Sequence, residues 1–137
     1  MDITVVDCLS LKKHSFGGRF QLTYTLLTHY FKSRIIVTSF LKEEEDVSSI
    51  SELFKASVWL EREVWDMFGI FFVNHPDLRR ILTDYGFDGF PLRKDFPVTG
   101  YSEVRYDDSQ KCLVYEPLEL TQELRVFDTL SPWSSIL

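Results

Sequence analysis

The sequence has only two cysteines, and they stand alone at positions 8 and 112. Neither belongs to a C-x-x-C pair, so zinc-ribbon and iron–sulfur ligation have no local basis. A disulfide between Cys8 and Cys112 is one possibility. Two buried free thiols in a reducing compartment are the expected state.

Long hydrophobic runs are also absent. No apolar stretch approaches the roughly 18 residues that a membrane-spanning helix needs. The first twenty residues lack the regions of a secretory signal peptide. They contain two aspartates and only one arginine, whereas a mitochondrial presequence would be rich in arginine and poor in acidic residues. We therefore expect no direct membrane span, in a chain that works where it is made or has lost a presequence.

Basic residues are too few to balance the acidic ones, and the net charge is −6. An acidic chain repels phosphate backbones, which makes general nucleic-acid binding an unfavourable function. Anionic membrane surfaces are disfavoured for the same reason.

The glycine and nucleophile patterns of common enzymes are missing as well. There is no G-x-S-x-G elbow, and the glycines lack both dinucleotide-binding and P-loop spacing. The length of 137 residues indicates one compact core. Aromatic residues, at 15%, are unusually frequent, which suits a dense core or an interface.

The first part of the chain has strand patterns. Phe20–Leu26 alternates apolar and polar residues, which predicts a half-buried strand, and the β-branched run Ile35–Thr38 is its expected antiparallel partner. Residues 2–7 predict a further strand. The acidic run 43–46 is expected to be a solvated turn.

Two helices are predicted next. Val47, Ile50, Leu53 and Phe54 recur at helical spacing, with Asp46 placed to cap the first amides. A second helix is expected from Ser57 to Phe68, ended by Gly69.

Beyond Gly69 the patterns are short. Ile70–Val73 and Arg80–Thr83 could be strands, and the glycines and prolines between Tyr85 and Tyr101 predict a turn-rich path. A hairpin of Glu103–Tyr106 with Cys112–Glu116 follows, and then one or two amphipathic turns around Leu118–Phe127. The predicted fold is α+β: a small, mostly antiparallel sheet with helices packed on it (1–84), followed by an extended C-terminal arm with a hairpin (85–137).

The densest charged segment is the second helix. Arg62 and Asp66 lie four residues apart and can pair. Glu61 and Asp66 project about 140° apart, so they diverge instead of forming an acid–base pair. Structural pairing is therefore favoured over catalysis for the charges of this region, which are Glu61, Arg62, Glu63, Asp66, Arg79 and Arg80.

His75 has Asp66 and Asp77 near it in sequence, but this set has no recognised metal-ligand spacing. A hydrogen-bonded structural histidine is favoured over a metal site. The sequence thus predicts no catalytic residue, no metal ligand and no cofactor bound by the chain itself.

A strip of aromatic and basic residues follows residue 79, in a segment with no core-forming period. Residues of these types are enriched at interfaces. The alternative is a loop that folds back on its own sheet. The predicted interface residues are Tyr85, Phe87, Phe90, Arg93, Lys94, Phe96, Tyr101 and, near the C-terminus, Trp133.

Residues 61–82, EREVWDMFGIFFVNHPDLRRIL, resemble the signature of the 30-kDa subunit family of respiratory complex I, in its mitochondrial-like form. The resemblance continues through LTDYGFDGFPLRKDFPVTGYSEVRYDD (82–108), VYEPLEL (114–120) and SPW (131–133). It covers about the last 85 residues strongly and the preceding strands weakly.

The resemblance implies a structural and assembly subunit of the peripheral arm, in a complex that transfers electrons from NADH to ubiquinone and translocates protons. It implies a hetero-oligomer with other complex I subunits, chiefly the 49-kDa-type quinone-site subunit. NADH, FMN, iron–sulfur clusters and ubiquinone belong to the complex, and this chain is expected to bind none of them. The implied location is the matrix side of the mitochondrial inner membrane, or alternatively the cytoplasmic side of a bacterial inner membrane.

Overall fold

The computed structural model describes residues 1–10 and 17–127. The chain forms two compact units, Met1–Pro97 and Val98–Leu137. Trp133, one of the predicted interface residues, lies outside the described residues.

The first unit contains a three-stranded antiparallel sheet in the order β1-β2-β3. The strands are β1 (Asp2–Asp7), β2 (Phe20–Thr28) and β3 (Ser33–Leu41). Phe20 and Leu22 are fully buried on β2, while their neighbours in sequence are half-buried. All three strand predictions are confirmed. In β2, the alternation that predicted the strand places Phe20 and Leu22 in the core.

The single helix among the described residues, α1 (Ser57–Phe68), has the predicted bounds. Gly69 ends it in the left-handed conformation, with φ of 76°, and its amide donates to the Trp65 carbonyl at 2.9 Å. Only glycine adopts this backbone conformation without strain. The helix is not long and apolar enough to cross a membrane. Its Val64 joins a core formed with Ile3, Phe20, Leu22, Leu41, Ile70 and Phe72.

The helix predicted at Val47–Phe54 is wrong. Instead β4 (Val47–Ser48) pairs in parallel with β5 (Phe72–Val73). The Val47 amide donates to the Phe71 carbonyl at 3.0 Å, and the Ser49 amide to the Val73 carbonyl at 2.9 Å. Because these amides bond across to another segment, Asp46 precedes a strand and caps no helix. The acidic run 43–46 is exposed, as expected for a solvated turn.

The strand proposed for Arg80–Thr83 does not form either. Three amides of this segment donate to the Asp66 carboxylate on α1, so they are not available for pairing with another strand. Residues 85–101 contain turns and bends but neither helix nor strand, which confirms the turn-rich path. Up to Pro97, this segment belongs to the first unit.

The second unit contains the predicted hairpin, β6 (Ser102–Asp107) paired with β7 (Cys112–Pro117). The Leu118 amide donates to the Tyr101 carbonyl at 2.9 Å, and residues 118–127 form neither helix nor strand. Both cysteines are free, as expected, but Cys8 is half-buried and Cys112 is exposed. The α+β class is confirmed, with one helix among the described residues instead of the two predicted.

Candidate functional site

Three charged side chains of α1 are buried. Glu61 and Asp66 are fully shielded from solvent, and Arg62 is 7% exposed. A buried charge is tolerated only when partners satisfy it. The partners of these three residues therefore decide what the site can do.

The Asp66 carboxylate accepts hydrogen bonds from the loop that follows β5. One carboxylate oxygen accepts the amides of Ile81, Leu82 and Thr83 at 3.1, 2.7 and 3.0 Å. The other accepts the Thr83 hydroxyl at 2.6 Å and lies 3.4 Å from the Arg80 guanidinium. Burial alone would raise the pKa of Asp66, but these hydrogen bonds outweigh it and hold the pKa below its usual value. The carboxylate is thus charged, and it is the common hydrogen-bond acceptor for three consecutive residues of the turn.

The Glu61 carboxylate accepts hydrogen bonds from a different segment, the residues after β4. Its two oxygens accept the Ser49 hydroxyl at 2.6 Å and the Ile50 amide at 2.9 Å. The residues after β4 are thereby tied to the helix. This bond also explains the failed helix prediction, because the amide of Ile50 is used by a side chain from another element.

His75 lies beside Glu61, with 3.8 Å between its Nε2 and the carboxylate. Its Nδ1 accepts the Asp77 amide at 3.1 Å, so Nε2 carries the proton and donates to the Val58 carbonyl at 3.1 Å. Both ring nitrogens of His75 thus have main-chain partners, which makes it a structural histidine. Within residues 1–10 and 17–127 no three His, Cys, Asp or Glu side chains form a possible metal site.

Tyr24 contributes a less usual feature near Glu61. Its hydroxyl oxygen is buried and has no hydrogen-bond partner in the described part of the chain. Burial, and secondarily the negative charge of Glu61, raise the pKa of Tyr24 to about 12.

Arg62 does not form the expected pair with Asp66. Its Nε donates to the Arg79 carbonyl at 3.0 Å, its Nη2 lies 3.5 Å from the Arg80 carbonyl, and the guanidinium stacks over the Trp59 ring at 5.0 Å. Arg62 therefore holds the main chain of the same loop whose amides Asp66 holds.

The remaining predicted ionic residues are placed differently. Arg80 contacts Asp66 and also donates to the Gly89 carbonyl at 2.9 Å. Arg79 is exposed and pairs with Asp77 at 3.0 Å, outside the helix network. Glu63 is exposed, and among the described residues it has no ion pair. The structure thus brings together Glu61, Arg62, Asp66, His75 and Arg80, but not Glu63 or Arg79.

The predicted interface strip is divided between the surface and the first unit's interior. Phe90 packs on Trp65 with ring centroids 5.8 Å apart, and the Arg93 guanidinium lies 4.6 Å from the Phe90 ring. Arg93 also donates to the Phe68 carbonyl at 2.7 Å. These residues hold the segment against its own domain. Phe87 and Phe96 contact each other at 5.9 Å and are half-buried, Lys94 is exposed, and Tyr85 is fully exposed.

A second ionic cluster, centred on Asp7, was not predicted from the sequence, although the strand pattern contains a signal for it. Asp7 shares a face of β1 with buried Ile3 and so must point inward, where a carboxylate needs partners. Arg19 pairs with it at 3.0 Å and also contacts Glu43 at 3.0 Å and Asp95 at 2.7 Å. The Lys94 amide donates to Asp7 at 2.9 Å. Burial opposes the charge of Asp7, but these bonds lower its pKa.

These arrangements define a small α+β domain whose buried charges tie loops to a helix and a sheet. Its carboxylates diverge toward different loops, and each is already occupied by internal donors.

Comparison with known proteins identifies the family of this domain. The family profile described as "Respiratory-chain NADH dehydrogenase, 30 Kd subunit" matches residues 1–102. The chain belongs to that family.

Individual relatives agree. NADH-ubiquinone oxidoreductase subunit 9 of Reclinomonas americana is 60% identical over 135 residues, covering 98% of this chain and 64% of the relative. NADH dehydrogenase [ubiquinone] iron-sulfur protein 3 of Arabidopsis thaliana is 56% identical over 133 residues, with coverages of 97% and 67%. Subunit 9 of Acanthamoeba castellanii is 59% identical over 118 residues, with coverages of 86% and 60%. The chain thus spans about two thirds of the length of the curated relatives that it matches.

Proposed function

We propose that this chain is a structural and assembly subunit of the peripheral arm of respiratory NADH:ubiquinone oxidoreductase, with no active site of its own. The proposal is supported by family membership and by relatives whose names place them in that enzyme. NADH, FMN, iron–sulfur clusters and ubiquinone are assigned in this proposal to other subunits. The sequence has two cysteines, fewer than the four thiolates that usually hold a cluster.

The proposal rests on the hydrogen bonds that the two buried carboxylates of α1 accept from the main chain and side chains of nearby loops. Asp66 receives four hydrogen bonds from Ile81, Leu82 and Thr83, and Glu61 receives two from Ser49 and Ile50. A catalytic acid–base pair needs two carboxylates that converge on one cleft. Here the two carboxylates diverge and serve different loops, which favours a scaffold over a hydrolase.

The surface of the second unit supports docking on a partner. A two-stranded hairpin is marginally stable in water by itself. On this hairpin Tyr106, Leu113 and Tyr115 are each about 60% exposed (58, 66 and 63%). Exposed apolar area of this kind marks an interaction surface. We assign it, together with exposed Tyr85 and Tyr101, to the contact with the 49-kDa-type quinone-site subunit.

The proposed location is the matrix side of the mitochondrial inner membrane, since the relatives named subunit 9 belong to an NADH-ubiquinone oxidoreductase. The alternative is the cytoplasmic side of a bacterial inner membrane. Both locations place the chain in a hetero-oligomer.

The test is a native separation of mildly solubilised membranes, followed by mass spectrometry of the proteins that co-migrate with this chain. We expect co-migration with NADH-oxidising activity and with the quinone-site subunit. A small soluble species without those partners overturns the proposal in favour of a free-standing hydrolase or a soluble adaptor.

A pair of variants sharpens this test. Leu113→Asp places a charge on the exposed apolar face of β7 and should reduce the co-migrating fraction. Gln110→Asp adds the same charge in the exposed turn of the same hairpin and should leave the fraction unchanged. Equal behaviour of the two variants would remove the hairpin from the proposed contact.

A further inference from the structure

Strand β3 is an open edge of the three-stranded sheet. It pairs with β2 and, among the described residues, with no other strand. Every residue from Ser33 to Ser39 is exposed. The exposed residues include Ile35 at 58%, Ile36 at 66% and Val37 at 50%.

The exposed apolar side chains lie on both faces of this edge. Ile35 and Val37 pair in register with Leu26 and Tyr24, so they share the face that carries the core. Ile36, between them, points to the opposite face. One strand therefore presents β-branched side chains on both sides, next to an edge of main-chain groups.

Protected edge strands usually carry a proline, a bulge or inward-pointing charges. The register between β2 and β3 is unbroken from Phe20 and Leu41 to Thr28 and Ser33, so no bulge is present, and β3 has no proline. Its one charged residue is Arg34. The β3 edge thus lacks the features that would discourage a further strand.

The two edges of the sheet differ in charge. On the β1 edge, Asp2 is exposed, whereas Asp7 is buried and paired with Arg19. By contrast, the sequence has no Asp or Glu between Asp7 and Glu43, although the whole chain has 21 acidic residues. The β2–β3 turn adds Lys32 beside Arg34, which makes the β3 edge basic in an acidic chain.

The turn itself is aromatic. Tyr30 and Phe31 are 87% and 75% exposed, and their rings contact each other at 4.8 Å. Aromatic and arginine side chains are the residues enriched in binding hot spots. The β3 edge and this turn form one continuous surface, residues 30–37, which we name the β3 edge surface.

We propose that the β3 edge surface binds an extended, acidic segment of another polypeptide, which adds to the sheet as a fourth strand. Main-chain hydrogen bonds along the edge hold the segment, and its alternate side chains cover the apolar residues of β3. Acidic side chains of the segment face Lys32 and Arg34. A lipid surface fits less well, because lipid tails cannot satisfy the main-chain groups of an open edge. This inference goes beyond the proposed function, since it names the mode and chemistry of one contact.

The experiment uses the chain in its native membranes. A photo-crosslinking amino acid replaces Ile36, and as a matched control it replaces Thr4, an exposed residue on the opposite edge strand. After irradiation, the crosslinked peptides are mapped by mass spectrometry. We expect a protein adduct at position 36, in an acidic segment of a different polypeptide, and a yield at least about tenfold lower at position 4.

Three results would overturn the proposal: an adduct with a second copy of this chain, an adduct with lipid, or no excess over position 4. The crosslink also separates this inference from the proposed function. An acidic-segment adduct in a protein that does not co-migrate with NADH-oxidising activity would support the edge contact and reject the complex assignment.

Charge reversal tests the chemistry of recognition. Arg34→Glu should lower the crosslink yield at position 36 roughly tenfold, because like charges across a contact disfavour it. Lys55→Glu makes the same change in net charge at an exposed residue outside strands β1, β2 and β3, and it should leave the yield unchanged. Equal yields in the two variants would show that the segment is not selected by its acidity.

Discussion

Thr83 binds Asp66 twice: its hydroxyl donates to one carboxylate oxygen at 2.6 Å, and its amide donates to the other at 3.0 Å. The side chain of Asp66 is fully buried, so these bonds are shielded from water. With the amides of Ile81 and Leu82, they fix the loop after β5 on α1. The loop has no helix or strand of its own, and its main chain is held by two side chains of α1: Asp66 accepts from its amides and Arg62 donates to its carbonyls.

The first prediction concerns this hub. Asp66→Asn keeps the size of the side chain, but an amide NH₂ replaces an acceptor that faces N–H donors. We expect the free energy of unfolding of the purified chain to fall by roughly 3 kcal/mol or more, in the range found when buried charged partners are lost. Denaturant titration followed by tryptophan fluorescence measures it. Asp84→Asn, at an exposed neighbour, is the control and should change stability by less than about 0.5 kcal/mol.

The second prediction is the response to acid. The pKa values of Asp66 and Asp7 are lowered in the folded chain. Below the ordinary carboxyl pKa of about 3.9, the unfolded chain therefore takes up protons that the folded chain does not. The stabilisation is complete above that pH and is lost as pH falls through the folded values. Unfolding free energies measured between about pH 2 and pH 6 should rise with pH, and the rise should be smaller in Asp66→Asn.

The third prediction separates two neighbouring residues of the family signature. Arg62 is buried and supports the carbonyls of Arg79 and Arg80, whereas Glu63 is exposed. Arg62→Ala should cost about 2–4 kcal/mol, since it strands two carbonyls and removes packing on Trp59. Glu63→Ala should be nearly neutral in the isolated chain. If Glu63→Ala nevertheless lowers the amount of assembled complex, its role is in a contact with a partner.

The elements with strong periodicity were predictable from the sequence. The sequence of β2 alternates from Phe20 to Leu26. The helix α1 has the predicted bounds, and Gly69 supplies the left-handed residue that ends it. The hairpin β6–β7 was equally clear. In these elements the local pattern and the final packing agree.

The failures share one cause. Apolar residues between Val47 and Phe54 fit helical spacing over only two turns, which is too short to exclude coincidence. What decides the conformation there is distant: β5 takes up the amide of Ser49, and Glu61 takes up that of Ile50. Likewise, the sequence of Arg80–Thr83 predicts a strand, but the amides of Ile81, Leu82 and Thr83 donate to Asp66 instead of to a neighbouring strand. Such long-range side-chain bonds leave no periodic signal in the segment that they shape.

The candidate site was predictable in composition but not in pairing. The charges of α1 were correctly singled out, yet the expected Arg62–Asp66 pair is replaced by bonds to the main chain of residues 79–83. Spacing along a helix shows which side chains can meet on its surface. It does not show which loop will pack over them, and that loop supplies the actual partners here.

The last prediction concerns Gly69, where backbone conformation and packing coincide. Its φ is +76°, and an added Cβ would lie 2.6 Å from the Phe90 ring and 2.8 Å from the Arg93 guanidinium. Gly86 has nearly the same φ, +74°, but open space around it. Both alanine variants bear the left-handed strain, about 1 kcal/mol, and only Gly69→Ala must also displace Phe90. We expect Gly69→Ala to lower the free energy of unfolding by at least about 1 kcal/mol more than Gly86→Ala. Equal losses in denaturant titrations of the two variants would show that Phe90 and Arg93 move aside freely, so that segment 85–97 is only loosely held against α1.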